Sequence, residues 1–264
     1  MFPIIINKER RIKMNLVVFD TETVSVDKPF CYNVGFVIYN TELNKIIEKR
    51  EYCIEQVWHN PMLFSTAYFA DKRPIYVNRM RAKKIKLEKW GRVTQEMIRL
   101  FKFYNVEFAY AYNSPFDDRV FSFNSEWYKT INPFDDIEII DIAGLVHNKI
   151  AFDMGYKMFC DTYELYTESG NYSTTAENVY RFINDNEDFV EEHTALADSE
   201  IELGILLYCI NKGCEFGKEY KKYNSIPREK TLTLIDKRTD IPVETKYSYK
   251  SIRISKDKTK ITIK

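Results

Sequence analysis

Two carboxylates close a short hydrophobic segment near the start of the chain. Residues 17–23, VVFDTET, lead from apolar positions into Asp20, Thr21 and Glu22. Positions i and i+2 of a strand project from the same face, so Asp20 and Glu22 point to one side of the strand end. Without a partner they would repel each other, and a positive charge is expected between them. A lone pair of acids at a strand end is also common as a solvated feature.

A second acidic pair follows a later apolar segment. Residues 111–121, AYNSPFDDRVF, carry Asp117 and Asp118 where a predicted strand passes into a predicted helix. Acids in the first turn of a helix are stabilised by the helix dipole, which is enough to account for the pair. The functional interpretation is that one of them contributes to a site at this strand-to-helix junction, and this segment by itself leaves both interpretations open.

The third acidic segment contains a histidine. Residues 191–202, EEHTALADSEIE, include Asp198 and His193, one of three histidines in the chain. Positions five apart differ by about 140° around a helix, so these two side chains would diverge if both were helical. They converge more easily if Thr194 caps the helix and His193 lies in the preceding loop. A single histidine is otherwise more often a surface or packed residue than a catalyst.

Together the three segments have the composition of a two-metal site. Mg²⁺ and Mn²⁺ prefer carboxylate oxygens, with water and substrate phosphate completing their coordination. Two such ions ~3.5–4 Å apart stabilise the attacking and leaving oxygens of a displacement at phosphorus. A histidine that is neutral near pH 7 can accept a proton from the attacking water. The combination therefore indicates metal-dependent chemistry at a phosphate ester.

The elements that must position these residues follow an α/β pattern. Residues 15–20, NLVVFD, are continuously apolar and predict a buried strand. Further strands are predicted at 32–40, 46–55, 107–112 and 137–141, and helices at 93–104, 116–128, 142–150, 173–183 and 194–210. The first three strands predict a meander, and the alternation after it predicts a mixed five-stranded sheet with helices on its faces. Residues 156–172 fit either a helix or a packed loop.

Changes in the sequence pattern divide the chain into three expected parts. Residues 14–217 are expected to form the main domain, after a short extension at 1–13, with Met14 as an alternative start. The helical pattern ends at Gly213, and residues 231–264 alternate in a way that predicts two or three short strands. Residues 218–264 are therefore expected to form a small β-rich C-terminal extension.

The formal net charge is zero, but the charge is unevenly spread. Residues 71–92 carry nine Lys or Arg against two acids, and residues 218–264 carry fourteen against six. Basic segments suggest a polyanion such as nucleic acid, although each also fits a solvated lysine-rich face.

The five cysteines form no CxxC pair, which favours free thiols in a reducing cytosol over a disulfide framework or a zinc site. No run of ~20 apolar residues predicts a membrane span, and the first residues do not resemble a secretory signal.

FDTET, NSPFD and HTALAD, in this order, resemble the three motifs of the DEDDh exonuclease family. That family includes the proofreading subunits of bacterial replicative polymerases, ribonuclease T and oligoribonuclease. Over residues 14–213 the resemblance implies a ribonuclease H-like fold and a metal-dependent 3′→5′ exonuclease that releases nucleoside 5′-monophosphates. The basic segment at 71–92 and the extension at 218–264 depart from the family pattern, and the first is interpreted as an insertion beside the site. Both segments are candidates for holding the substrate backbone.

The resemblance also assigns roles to residues. It implies that Asp20, Glu22, Asp117 and Asp198 are the ligands of two Mg²⁺ or Mn²⁺ ions and that His193 is the general base. The register of the second motif favours Asp117 over Asp118. The candidates for substrate binding are Thr21, Glu22, Asn113 and Phe116, with Phe116 either stacking on a base or packing in the core.

The expected partner is the 3′ end of single-stranded DNA or RNA, with a polymerase or a second copy of the chain as further candidates. Residues 173–198 resemble phage-encoded members of the family, so the expected location is a cytoplasm, that of the host if the protein is phage-encoded.

One alternative is a non-catalytic nucleic-acid-binding module of the same fold, although such a module would lose the acids. Another is a ribonuclease H-like endonuclease, which would lack the HxALxD arrangement. The choices between DNA and RNA, single and double strand, and proofreading and degradation depend on pocket walls that the sequence does not specify.

Overall fold

The computed structural model describes residues 13–235, 242–248, 252–254 and 261–263. Its centre is a mixed sheet of six strands in the order β4-β3-β2-β1-β5-β6. The strands are β1 (Asn15–Thr23), β2 (Cys31–Asn40), β3 (Lys45–Ile54), β4 (Lys86–Glu88), β5 (Val106–Ala111) and β6 (Glu138–Asp141). The first three form an antiparallel meander, whereas β5 runs parallel to β1 and β6 parallel to β5. The predicted meander and the mixed sheet are confirmed.

The sheet has one edge strand more than the five predicted. β4 pairs in parallel with the end of β3, from Tyr52 opposite Lys86 to Ile54 opposite Glu88. A segment of three residues is too short to show the alternation from which a strand is predicted. It also lies within the basic segment at 71–92, where an enlarged loop was expected.

The helices cover both faces of the sheet and confirm the α/β architecture. They are α1 (Glu55–Trp58), α2 (Pro61–Phe64), α3 (Arg73–Arg81), α4 (Trp90–Tyr104), α5 (Pro115–Tyr128), α6 (Ile142–Lys149), α7 (Met154–Thr162), α8 (Ala176–Asn184) and α9 (Ala195–Asn211), with a 3₁₀ turn at Ala70–Lys72. The ambiguous stretch at 156–172 contains the end of α7 and a loop closed by a bridge between Tyr166 and Tyr172.

β1 is continuously apolar because it is buried on both faces. Leu16 and Val18 lie in a core cluster with side chains of α6 to α9. Val17 and Phe19 point the other way, into a cluster with side chains of α4 and α5. Successive side chains of a strand alternate between faces, so each layer of helices receives every second residue of β1. The end of β1 is thereby fixed in the middle of a three-layer α/β/α domain.

The connection from β3 to β4 is a folded unit rather than an open loop. We call residues 55–85 the β3–β4 insert; it contains α1, α2, the 3₁₀ turn and α3. Trp58, Phe64 and Tyr76 of the insert form a separate hydrophobic cluster with Tyr32 at the start of β2. The ring of Tyr32 contacts Phe64 and Tyr76 edge to face, with centroids 5.1 and 5.9 Å apart. The insert therefore docks on the same end of the sheet as Asp20 and Glu22.

A glycine lets α9 lie directly on the sheet. A Cβ atom at Gly35 in β2 would stand 2.1 Å from the backbone nitrogen of Leu196, so a larger residue would displace the helix. The Ser199 hydroxyl, in the first part of α9, donates to the Gly35 carbonyl at 3.1 Å. Since Gly35 is the register partner of Asp20, this close approach brings the start of α9 over the end of β1.

Beyond α9 the alternating pattern predicts two or three short strands, and the described residues form four. β7 (Glu229–Ile235) pairs antiparallel with β8 (Pro242–Ser248), and β9 (Ile252–Ile254) pairs antiparallel with β10 (Ile261–Ile263). The extension predicted at 1–13 lies outside the described residues except for Lys13. The domain boundary at 217 stays a prediction.

Two further expectations concern the whole chain. All five cysteines are buried free thiols, as predicted. Within the described residues, none of the helices has the length and the apolar character that crossing a membrane requires.

Candidate active site

The end of β1 carries two of the predicted acids, both partly buried. Burial raises the pKa of Asp20 to about 7, against a smaller lowering by the backbone amide of Thr21. The pKa of Glu22 is raised well above its ordinary value by burial and then by repulsion from Asp20 and Asp198. The Tyr32 hydroxyl donates to Glu22 Oε2 at 3.3 Å and orients this carboxylate.

The start of α5 supplies the third acid. β5 lies parallel to β1, so the helix that follows β5 begins beside the end of β1. Asp117 is 3% exposed, and Thr21 donates its hydroxyl to Asp117 Oδ1 at 2.6 Å. Burial and the charge of Asp20 raise the pKa of Asp117 well above its ordinary value. Asp118 is exposed, so the structure brings Asp117 and not Asp118 into the acidic cluster.

The first turns of α9 supply the fourth acid. The Asn33 side chain in β2 accepts a hydrogen bond from Ala195 N at 2.8 Å, which fixes the start of the helix. Asp198 is 9% exposed, and its Oδ1 is buried with no hydrogen-bond partner among the described residues. Burial, then repulsion from Asp20, raises the pKa of Asp198 to about 9. A buried oxygen without a partner normally indicates a missing donor or cation.

His193 lies in the loop before α9, where the sequence predicts it. Thr194 is the N-cap residue of the helix, and His193 has a φ of 54°. This left-handed conformation costs roughly 1–2 kcal/mol for a residue with a side chain. A ring nitrogen of His193 lies with carboxylate oxygens of Glu22 and Asp198 in a group whose atoms are all within 4.8 Å of one another. Burial and then the charge of Lys72 lower the pKa of His193, so the imidazole is neutral near pH 7.

Sequence reasoning missed Glu202, a fifth acid in the cluster. It lies one turn after Asp198 on α9, is 4% exposed, and accepts a hydrogen bond from Tyr112 N at 3.1 Å. Burial and then the charges of Asp20 and Asp117 raise its pKa well above the ordinary value. The available signal was the i, i+4 spacing from Asp198, which places both acids on one face of the helix.

Glu191, which precedes the histidine, is a second acid that sequence reasoning did not assign. Its Oε2 lies 3.8 Å from His193 Nδ1, and burial raises its pKa to about 7. A ring nitrogen of His193 also lies within 4.8 Å of carboxylate oxygens of Glu191 and Glu177. Glu177 is already compensated, because it forms a salt bridge with Arg181 at 2.6 Å. Of the acids around the ring, Glu177 is thereby compensated, whereas Glu22, Asp198 and Glu191 form no salt bridge with a lysine or arginine in the described residues.

The donor set of the cluster fits a divalent cation. In the described part of the chain none of its five carboxylates forms a salt bridge with a lysine or arginine; they are Asp20, Glu22, Asp117, Asp198 and Glu202. Burying carboxylates without a counter-charge is costly, which is why their pKa values are raised. Clustered carboxylate oxygens suit hard ions such as Mg²⁺ or Mn²⁺. The unpartnered Oδ1 of Asp198 is an atom that such an ion would satisfy.

The predicted substrate residues have different surroundings. The Thr21 hydroxyl is engaged by Asp117, and the main chain of Thr21 lies in β1 opposite Val34 of β2. Asn113 is exposed, with a φ of 62°, and its Oδ1 accepts from Lys222 Nζ at 2.5 Å. Phe116 is half-buried against the core cluster of α4 and α5, with the Arg119 guanidinium 5.4 Å from its ring centre.

The chain is similar to known proteins in its fold and not in its sequence. No family model matches the chain, and no curated protein matches its sequence. Its structure is similar to that of the nuclease domain of 3′hExo, a DEDDh family member, bound to rAMP. This similarity has a TM-score of 0.52 and 12% identity, and it covers 81% of this chain and 98% of that one. The chain has the fold of a DEDDh exonuclease.

Two more solved structures agree with this fold. The 3′-exonuclease in a structure of 3′-end-specific recognition of a histone mRNA stem-loop matches with a TM-score of 0.52 and 12% identity, over 88% of this chain and 71% of that chain. A full-length 3′-exonuclease matches with a TM-score of 0.51 and 13% identity, over 88% of this chain and 67% of that one. The exonuclease fold predicted from the three motifs is thereby confirmed.

Proposed function

We propose that this chain is a metal-dependent 3′→5′ exonuclease of DNA or RNA. The observation that carries the proposal is the convergence of four acids from β1, α5 and α9 in a buried cluster without a cationic partner; they are Asp20, Glu22, Asp117 and Asp198. His193 lies beside this cluster as a neutral imidazole. The exonuclease fold supports the same reaction class.

Two Mg²⁺ or Mn²⁺ ions are the proposed cofactors. The four acids would hold them, and the ions would supply an activated water and stabilise the leaving oxygen. The same ions would stabilise the ionised carboxylates, whose pKa values are raised first by burial and, except at Asp20, then by neighbouring acids. Glu202 lies on the next turn of α9, where its carboxylate accepts a hydrogen bond from Tyr112 N and interacts with the charges of Asp20 and Asp117.

His193 is the proposed general base. Its ring nitrogen takes the proton of the attacking water, which requires the neutral form that burial favours. The water oxygen bonds to the last phosphorus as the bond from phosphorus to the preceding 3′ oxygen breaks. The products are a nucleoside 5′-monophosphate and a strand one nucleotide shorter, whose departing 3′ oxygen takes a proton from solvent to form a hydroxyl. Glu191, next to the ring, would accept the imidazolium proton or hold it by charge.

Two hydroxyl groups orient the proposed ligands. Thr21 donates to Asp117 and Tyr32 donates to Glu22, so each fixes a carboxylate that would otherwise rotate. Such supporting hydrogen bonds set the direction of the lone pairs that a metal ion meets.

The proposed substrate is a nucleic-acid 3′ end, with single strands favoured. Glu22 and Thr21, at the end of β1, are the proposed contacts of the terminal sugar. Asn113 and Phe116 are proposed to contact the terminal nucleotide from the start of α5; Lys222, which donates to Asn113, is already paired with Asp141 at 3.0 Å. A polymerase or a second copy of the chain as partner, and a cytoplasmic location, stay predictions.

The buried acids argue against a module that only binds nucleic acid. A binding surface for a polyanion gains nothing from five uncompensated carboxylates, and their burial destabilises the fold. An endonuclease is separated from the proposal by its substrate, because it cleaves closed circles that have no end.

The test is hydrolysis of 5′-labelled single-stranded DNA and RNA with Mg²⁺ or Mn²⁺. We expect a ladder of products shortened from the 3′ end, release of nucleoside 5′-monophosphates, and an intact circular substrate. EDTA and Asp20→Ala should both abolish the ladder. Full hydrolysis by Asp20→Ala would refute the assignment of the site, and cleavage of the circle would favour an endonuclease.

A further inference from the structure

The β3–β4 insert reaches the histidine loop through an aromatic ring. Phe69, just before the 3₁₀ turn, stacks on the imidazole of His193 with centroids 4.1 Å apart and an interplanar angle of 14°. Phe69 is half-buried and also contacts the exposed Tyr68 edge to face. The stack covers one face of the imidazole and restricts its rotation, so the edge that carries the nitrogens keeps one direction.

α3 of the insert contacts the backbone of His193. The Tyr76 hydroxyl donates to the carbonyl oxygen of His193 at 3.2 Å. Tyr76 is itself fully buried, against Trp58 and Tyr32 with centroids 5.6 and 5.9 Å apart. Since Tyr32 also donates to Glu22, one aromatic cluster contacts both the histidine loop and an acid of the proposed metal site.

One turn along α3, Arg79 binds the residues on either side of His193. Its guanidinium donates to Glu192 and, at 3.2 Å, to the Thr194 hydroxyl. The guanidinium also forms a salt bridge with the buried carboxylate of Glu51, with Nη1 of Arg79 3.5 Å from Oε2 of Glu51. Three consecutive residues of the loop are therefore each held by a side chain of the insert.

These contacts converge on His193, whose backbone conformation must be stabilised by neighbouring residues. His193 has a left-handed φ, which such a residue keeps only where its surroundings fix it. We infer that the β3–β4 insert is the positioning element of His193, with Phe69 setting the orientation of the ring and Tyr76 and Arg79 setting the backbone of the loop. This inference rests on the proposed function for its catalytic consequence, but the positioning itself can be observed without it.

Nuclear magnetic resonance of the histidine side chains tests the positioning directly. The chain has three histidines, so His193→Gln identifies the signals of His193 in the full-length protein. The ring current of Phe69 should move the His193 ring protons upfield. Phe69→Leu keeps apolar volume but removes the ring, so we expect these signals to move downfield while those of the other two histidines stay. Phe69→Tyr should retain the wild-type shift.

Kinetics test what the positioning does. For Phe69→Leu we expect kcat for 3′-nucleotide release to fall by up to about 100-fold, the loss that a small misplacement of a catalytic group can cause, with KM unchanged. Phe69→Tyr should restore kcat. In a His193→Ala background Phe69→Leu should have no further effect, because Phe69 acts through the imidazole. Phe103→Leu, at an exposed aromatic on α4, is the matched control and should leave kcat and the histidine signals unchanged.

The outcomes separate this inference from the proposed function. Unchanged His193 signals in Phe69→Leu, or the same loss of kcat with and without His193, would overturn the inference. If the wild-type protein degrades no oligonucleotide, the proposed function fails, while the histidine signals still decide whether the insert holds the ring. Should Phe69→Leu not fold, Tyr76→Phe removes only the hydroxyl, and a fall in kcat that disappears in His193→Ala is expected from it.

Discussion

Replacing Asp198 by asparagine should stabilise the protein when no divalent cation is bound. The pKa of Asp198 is raised from the ordinary 3.8 to about 9 in the folded protein. Ionisation of this carboxyl in the unfolded chain therefore lowers the free energy of unfolding. This loss of stability begins near pH 4 and grows as the pH rises towards the pKa of the folded state, because the folded state keeps a proton that the unfolded chain has released. Each pKa unit is about 1.4 kcal/mol, which gives at most about 4 kcal/mol at pH 7. Asparagine carries no such penalty.

The assay is chemical denaturation in EDTA at several pH values. Wild type and Asp198→Asn should be similar near pH 4, and the variant should become increasingly more stable towards pH 8. Added Mg²⁺ should stabilise the wild type and leave the variant unchanged, since a ligand that binds only the folded state stabilises it. Asp118→Asn, at the exposed neighbour of Asp117, is the control and should change stability by no more than about 0.5 kcal/mol. An Asp198→Asn protein that is less stable than the wild type at pH 8 in EDTA would refute the reasoning.

Three other substitutions test separate parts of the site. His193→Gln should lower kcat by about 10²–10⁴-fold, the usual contribution of a general base, and leave Mn²⁺ affinity in calorimetry unchanged; wild-type kcat would remove the base role. Thr21→Val removes the hydrogen bond to Asp117 and should weaken Mn²⁺ binding by about 10–100-fold, whereas equal affinity would show that Asp117 needs no such support. Gly35→Ala places a Cβ atom 2.1 Å from Leu196 N and should cost about 1–3 kcal/mol of stability and lower activity, because α9 must shift; an unchanged denaturation midpoint would contradict this packing.

The sequence predicts the fold wherever a local pattern is continuous. β1 is buried on both faces and reads as an unbroken apolar run, and α9 begins where Thr194 predicts its cap. β4 was missed because its three residues pair with β3 through the sheet edge alone, with no periodicity of their own. Ile85, directly before β4, packs in the hydrophobic cluster of the β3–β4 insert, and this tertiary contact is not visible as a local pattern.

The sequence predicts four acids of the candidate site but not the contacts that position its side chains. Asp117 and Asp118 fit a helix start equally well, and the register of the second motif favours Asp117; packing in the folded chain buries the first and exposes the second. Glu202 shows a helical spacing from Asp198, but its burial follows from the close approach of α9 to Gly35. The stacking of Phe69 on His193 joins segments that are distant in the chain, so no motif contains it.

The central claim is that the buried acidic cluster binds the ions that cleave a 3′-terminal nucleotide. The most direct test is the initial rate of nucleoside 5′-monophosphate release from one single-stranded oligonucleotide in Mn²⁺, compared for Asp117→Asn and Asp118→Asn. These neighbours have the same chemistry and differ in burial, since Asp117 is 3% exposed and Asp118 is exposed. The account predicts that Asp117→Asn loses the activity and that Asp118→Asn keeps the wild-type rate. Equal rates for the two variants would contradict it.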